Sequence, residues 1–132
     1  MTAAAHATLA DLLACEGKAE LIDGAISRTS PASGRHGFIE TNLLALLSLH
    51  TRRRGLGRCF SGDTGFLVAQ APDTVLCPDA SFVSHQRLPV LPEHGFPAVV
   101  PELVAEVVSP SDAWSDVEAK VQRWLSLGAL LV

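Results

Sequence analysis

Pro101-Glu102-Leu103-Val104-Ala105-Glu106-Val107-Val108-Ser109-Pro110 is the stretch from which the fold is read. Its apolar residues run on without strict alternation, so residues 102–108 predict a strand buried on both faces. Glu106 breaks that run, and Glu102, Glu106 and Val108 share one face by the period of two. Cys77-Pro78-Asp79-Ala80-Ser81-Phe82-Val83 repeats the pattern, with Asp79 at the head of a second buried strand. An unpaired carboxylate in such a place loses several kcal/mol or takes up a proton. Two of them on neighbouring strands predict a shared divalent metal. Lys120 follows on the next helix, in Asp116-Val117-Glu118-Ala119-Lys120. Two acids and a lysine around a metal are the working parts of a phosphodiester-cleaving site.

Outward from these strands, Asp23-Gly24 lies between Ala19-Glu20-Leu21-Ile22 and Ala25-Ile26-Ser27-Arg28, a strong hairpin signal. A short helix is expected over 7–15. Ser33 is a candidate N-cap for a helix from Arg35 to Arg54, whose inner stripe reads as Ile39, Leu43, Leu46, Leu47 and Leu49. Three arginines close that helix before Gly55, where they suit the helix dipole better than a DNA contact. Short strands are predicted at 57–61, 65–69 and 79–83, and a proline-rich loop at 86–98. Ser115-Asp116-Val117-Glu118 has the pattern of a capping box, opening a helix that Gly128 ends. The resulting order predicts an α/β fold, a mixed sheet flanked by helices with an N-terminal hairpin.

With 132 residues, 48% of them hydrophobic, one domain over 1–132 and a proper core are expected. No apolar run approaches a membrane span, and the alanine-rich start from Met1 to Ala10 lacks the features of a signal peptide. A cytoplasmic protein follows as the expectation. Cys15, Cys59 and Cys77 are odd in number and widely spaced, which speaks for free thiols over a zinc knuckle or a disulfide framework. A net charge of −4 argues against a passive, sequence-blind coat for nucleic acid, but not against a nuclease, whose acids lower the total.

The ordered set of motifs resembles the Uma-type restriction-endonuclease family of the PD-(D/E)XK nuclease superfamily. The matching segments are Glu20-Leu21-Ile22-Asp23-Gly24, Ser30-Pro31 to Arg35-His36-Gly37, Gly62-Asp63-Thr64-Gly65-Phe66, and Pro78 to Val83. Pro101 to Asp112 and Lys120 complete them. The likeness covers nearly everything after Glu16. It implies a restriction-endonuclease-like fold and an endonuclease that hydrolyses DNA with Mg²⁺ or Mn²⁺. It also implies no membrane partner, with a homodimer as a candidate assembly. By the resemblance Asp79 and Glu106 are the metal ligands, with a backbone carbonyl near Val107 completing the set. Glu20 and His36 match further polar positions near the site. The parent pattern places a lysine two residues after the glutamate, where this chain has Val108, and Lys120 is the candidate replacement. Family members continue beyond Gly128 with a full strand and a further hairpin, so the domain is expected to lack its last C-terminal strands.

Simpler explanations stand beside each assignment. Asp79 after a proline suits a turn, Glu20 a solvent-facing hairpin position, and His36 an exposed first helical turn with Glu40 one turn on. Glu106 could form a structural ion pair with Lys120. Asp63-Thr64-Gly65 is also the aspartic-protease triplet, but Ser61-Gly62 precede it in place of the usual apolar run. For the whole chain, the alternative to an endonuclease is a non-catalytic interaction module that keeps the nuclease fold.

Overall fold

Asp23-Gly24 turns the chain back on itself as a tight hairpin. In the computed structural model, which describes residues 6–132, Ala19–Ile22 (β1) and Ala25–Arg28 (β2) pair antiparallel with Ile22 opposite Ala25. Asp23 and Gly24 take φ values of 50° and 79°, the two left-handed residues of a type I′ turn. Met1–Ala5, half of the alanine-rich start, lie outside the described residues. Before the hairpin, Leu9–Leu13 (α1) is held by a capping box between Thr8 and Asp11.

Gly34–Arg53 (α2) begins at Ser33, whose hydroxyl accepts the His36 N–H at 3.2 Å. The inner face of α2 differs from the expected stripe. Ile39, Leu43, Leu46 and Leu49 are exposed, and only Leu47 of the five is half-buried. The face turned inward carries His36, Glu40, Leu44, Leu47 and Thr51 at helical spacing. Leucines lie on several sides of this helix, so apolar periodicity does not single out one face. The polar pair His36 and Glu40 rides on the inner one.

Gly57–Ser61 (β3), Phe66–Ala69 (β4) and Ala80–Ser84 (β6) fall where short strands are predicted. Thr74–Leu76 (β5) was not expected; three residues are too short to show a period, yet all three are buried. It sits at the centre of one sheet, in the order β2-β1-β5-β4. A second sheet runs β3-β6-β7, with β7 at Leu103–Ala105. Both ladders are antiparallel, and a single parallel bridge from Leu103 to Leu131 adds the mixed element.

β7 is shorter than the 102–108 predicted. Past Ala105 the partner strand reaches Asp79 and Pro78, and a proline offers no N–H to a ladder. The Val107 N–H donates to the Asp79 carboxylate (Oδ2, 2.6 Å) instead of a backbone carbonyl. Trp114–Leu127 (α3) starts one residue before Ser115, with Ala113 at the N-cap and no side-chain cap, so the capping box does not form. Gly128 ends α3 in a left-handed conformation, as its position predicts.

Two apolar clusters meet at β5. Leu12, Ala19, Leu21 and Val75 pack under the hairpin. Leu76, Val104, Trp124 and Ala129 tie β5, β7 and α3 together. Glu102, which shares Glu106's alternation, serves this frame. It accepts the Ser84 N–H at 2.9 Å and the Ser84 hydroxyl, and pairs with Arg87 at 3.4 Å. Among the described residues no helix is long and apolar enough to cross a membrane.

Candidate active site

Asp79 occupies the joint where the chain leaves β5 in one sheet and enters β6 in the other. The joint is tied to β1 by Glu20, whose Oε1 accepts the Cys77 N–H at 2.7 Å, and by a Cys77 thiol contact to the Ala19 carbonyl at 3.7 Å. Burial and the neighbouring Glu20 push the Cys77 thiol up to about 11, so it stays protonated and unreactive.

Ala80 pairs with Ala105 in the last rung of the β6–β7 ladder, so Asp79 and Glu106 are the next residues beyond it on the two chains, near enough for Asp79 to act on the Glu106 carboxyl. A cleft of about 820 Å³ opens over this end. Glu20, His36, Asp79, Glu106 and Lys120 all line it, together with Val107. The structure thus gathers all five expected catalytic residues, from β1, α2, the β5–β6 joint, the residue after β7, and α3, around one space.

Each acid is held by a hydrogen bond. Asp79 Oδ2 takes the Val107 N–H and lies 3.2 Å from His36 Nε2. Glu106 Oε1 accepts the Trp124 indole N–H at 3.1 Å, which fixes its rotamer against α3. Burial raises the Glu106 carboxyl to about 7. Lys120 opposes that rise, nearby Asp79 adds to it, and the Trp124 hydrogen bond works with the lysine. Lys120 lies one helical turn before Trp124, on the flank of α3 that faces Glu106.

His36 stands between two carboxylates. Its Nδ1 is buried, 3.7 Å from Glu40 Oε2, and has no hydrogen-bond partner. One donor atom each from His36, Glu40 and Asp79 lie within 4.8 Å of one another. Carboxylate oxygens and an imidazole nitrogen left without a partner make these three a donor set of the kind that holds a metal ion, and Glu106, an expected ligand, is not among them. Glu40 also accepts the Gly62 N–H at 3.3 Å, locking α2 to the β3–β4 turn. Asp63, from the protease-like triplet, is exposed in that turn at the cleft rim.

Gly62 leaves no room for a side chain beside Glu40. A Cβ there would sit 2.8 Å from Glu40 Oε1 and 3.2 Å from the Asp79 carbonyl oxygen. Gly62→Ala is therefore expected to displace Glu40 and cost about 1–2 kcal/mol. Urea unfolding measures it, and an unchanged midpoint would show that Glu40 swings away freely.

These features can be set beside known proteins. The family model of Uma2, described as "Putative restriction endonuclease", matches residues 8–132. The chain belongs to the Uma2 family. A search of curated proteins returns no match. Among solved structures it is similar to a "putative nuclease" from Anabaena variabilis ATCC 29413, with a TM-score of 0.70 and 22% identity. The match covers 92% of this chain and 69% of that one. At that identity the likeness is one of fold. Family and fold together support a nuclease function for this Uma2 chain.

One cleft residue escaped the sequence reading. Lys18 immediately precedes β1, and its Nζ lies 3.9 Å from Asp79 Oδ1. Its spacing from Glu20 by two residues was the available signal, since both then fall on one face of an extended strand. The Arg52–Arg54 run is absent from the residues lining the cleft, and Arg54 turns back to the His50 carbonyl at 3.4 Å.

Proposed function

We propose that this chain is a divalent-metal-dependent endonuclease that hydrolyses DNA phosphodiester bonds. The observation that carries the reading is that Asp79, Glu106 and Lys120 line one cleft just beyond the end of the β6–β7 ladder, close enough for both Asp79 and Lys120 to act on the Glu106 carboxyl. Asp79 and Glu106 would hold Mg²⁺ or Mn²⁺, with the Val107 carbonyl as a third donor and His36 and Glu40 next around Asp79. When bound, such an ion neutralises charge on a phosphoryl oxygen and acidifies the attacking water.

The chain's own groups do the remaining work. The Val107 and Trp124 N–H groups each take one carboxylate oxygen and so orient the other towards the cleft. Lys120 supplies the cation of the missing motif lysine, and its ammonium N–H groups orient the nucleophilic water. His36 holds Asp79, and Glu20 holds the joint that carries it.

The test is incubation of plasmid and single-stranded DNA with the protein in Mg²⁺, Mn²⁺ or EDTA. Cutting is expected with either ion, none in EDTA, and none in Asp79→Asn. Metal-dependent cutting that survives in Asp79→Asn would move the site elsewhere. Val108 in place of the motif lysine favours a second reading, a non-catalytic module on the same fold. Calorimetric titration with Mn²⁺ separates them, because the module has no need to bind the ion.

A further inference from the structure

We propose that Lys18 is a second phosphate-binding lysine of this site, gripping the substrate backbone on the Asp79 side while Lys120 serves the Glu106 side. This deepens the endonuclease reading and rests on it. Three observations carry it. First, the base of Lys18 is rigid: its carbonyl accepts both the Thr29 N–H at 3.1 Å and the Thr29 hydroxyl at 3.3 Å, extending the β1–β2 ladder by one pair. Second, the side chain is 28% exposed and lines the cleft, so its head is reachable by a ligand. Third, its ammonium makes no hydrogen bond among the described residues. The 3.9 Å separation from Asp79 Oδ1 is well beyond the roughly 2.8 Å of a charge-assisted hydrogen bond. Charge alone keeps it there, and its N–H donors remain available.

The chemistry of the cleft says what those donors are for. Acids such as Glu20, Asp63, Asp79 and Glu106 outnumber the lysines, of which there are two, Lys18 and Lys120. A polyanion entering such a cleft meets repulsion except at those two points and at a bound cation. Lys18, just before β1, lies 3.9 Å from Asp79, and Lys120, on α3, acts on Glu106, so each lysine accompanies a different acid of the cleft. A phosphodiester seated over the acids can therefore be held beside each of them, which gives the positioning that Val108 cannot provide.

The experiment uses the whole chain, with Lys18→Met and Lys18→Arg. Binding of a short DNA duplex is followed by fluorescence anisotropy in Ca²⁺ across a salt series, and Mn²⁺ binding by calorimetry. In Lys18→Met, DNA affinity is expected to fall about tenfold, and the log–log salt slope to become shallower by about one unit. Mn²⁺ binding should stay the same or tighten, since a positive charge beside Asp79 has gone. Lys18→Arg should restore most of the DNA affinity. A salt slope equal to wild type in Lys18→Met, or weakened Mn²⁺ binding with a lowered melting temperature, overturns the proposal and leaves Lys18 as a structural partner of Asp79. Those results would leave the endonuclease reading standing if Glu106→Gln still abolished cutting. Absence of both Mn²⁺ and DNA binding in the wild-type chain would instead overturn that reading and this proposal with it.

Discussion

Glu106→Gln is expected to abolish metal-dependent cutting, by at least about a thousandfold, and at the same time to stabilise the metal-free chain above pH 7. The two effects share one cause. Burial lifts the Glu106 carboxyl from its usual 4.5 to about 7. Between those values the folded chain keeps a proton that the unfolded chain releases, so stability falls as pH rises from about 4.5 to 7 and is level beyond. The loss is on the order of 3 kcal/mol from a shift of this size. A glutamine can still accept the Trp124 N–H and carries no charge to bury, so its melting temperature in EDTA should lack that slope. Metal uptake by the wild type runs the other way, tightening as pH rises towards 7 because the ion displaces the proton. Thermal melts from pH 5 to pH 8 in EDTA, with Mn²⁺ titrations at the same pH values, measure both. A slope that persists in Glu106→Gln would show that another group is responsible.

Trp124→Ala is expected to cost about 3–5 kcal/mol, a large share of the stability of a domain this size. Trp124 is 2% exposed and is the largest side chain in the cluster with Leu76, Val104 and Ala129. It is also the donor to Glu106. Trp124→Phe separates these roles, since most of the volume stays and the N–H is lost. That variant should fold with a smaller loss, while the Glu106 carboxyl rises further and half-maximal Mn²⁺ uptake moves to higher pH. An unchanged pH of uptake in Trp124→Phe would mean that the indole only packs.

Much of the frame is legible in local sequence because local physics sets it. The Asp23-Gly24 turn, the Ser33 cap and the Gly128 stop depend on conformations and hydrogen bonds within a few residues. The strands 57–61 and 80–84 are long enough to declare themselves. Thr74–Leu76 is not, because three residues carry no period, and its place at the centre of a sheet comes entirely from its neighbours. The Ser115 cap does not form because α3 begins one residue earlier, with Ala113 at the N-cap, so Ser115 lies inside the helix where its hydroxyl cannot cap it.

By itself the sequence determined that Asp79 and Glu106 are acids placed against the grain of apolar strands, that Lys120 follows on a helix, and that no lysine stands at Val108. It also determined the order of motifs by which family membership could be recognised. Which face of α2 turns inward was decided only by the tertiary structure. Leucines lie on several faces of α2, so its own sequence does not choose between them, and the face turned inward is the one that brings His36 and Glu40 to Asp79. The same holds for Lys18. Its charge is plain in the sequence, but its distance from Asp79 depends on how β1 docks on the β5–β6 joint through Glu20 and Cys77. That docking joins residues 57 positions apart. Contacts across such separations arise from packing of the whole chain, and no local pattern records them.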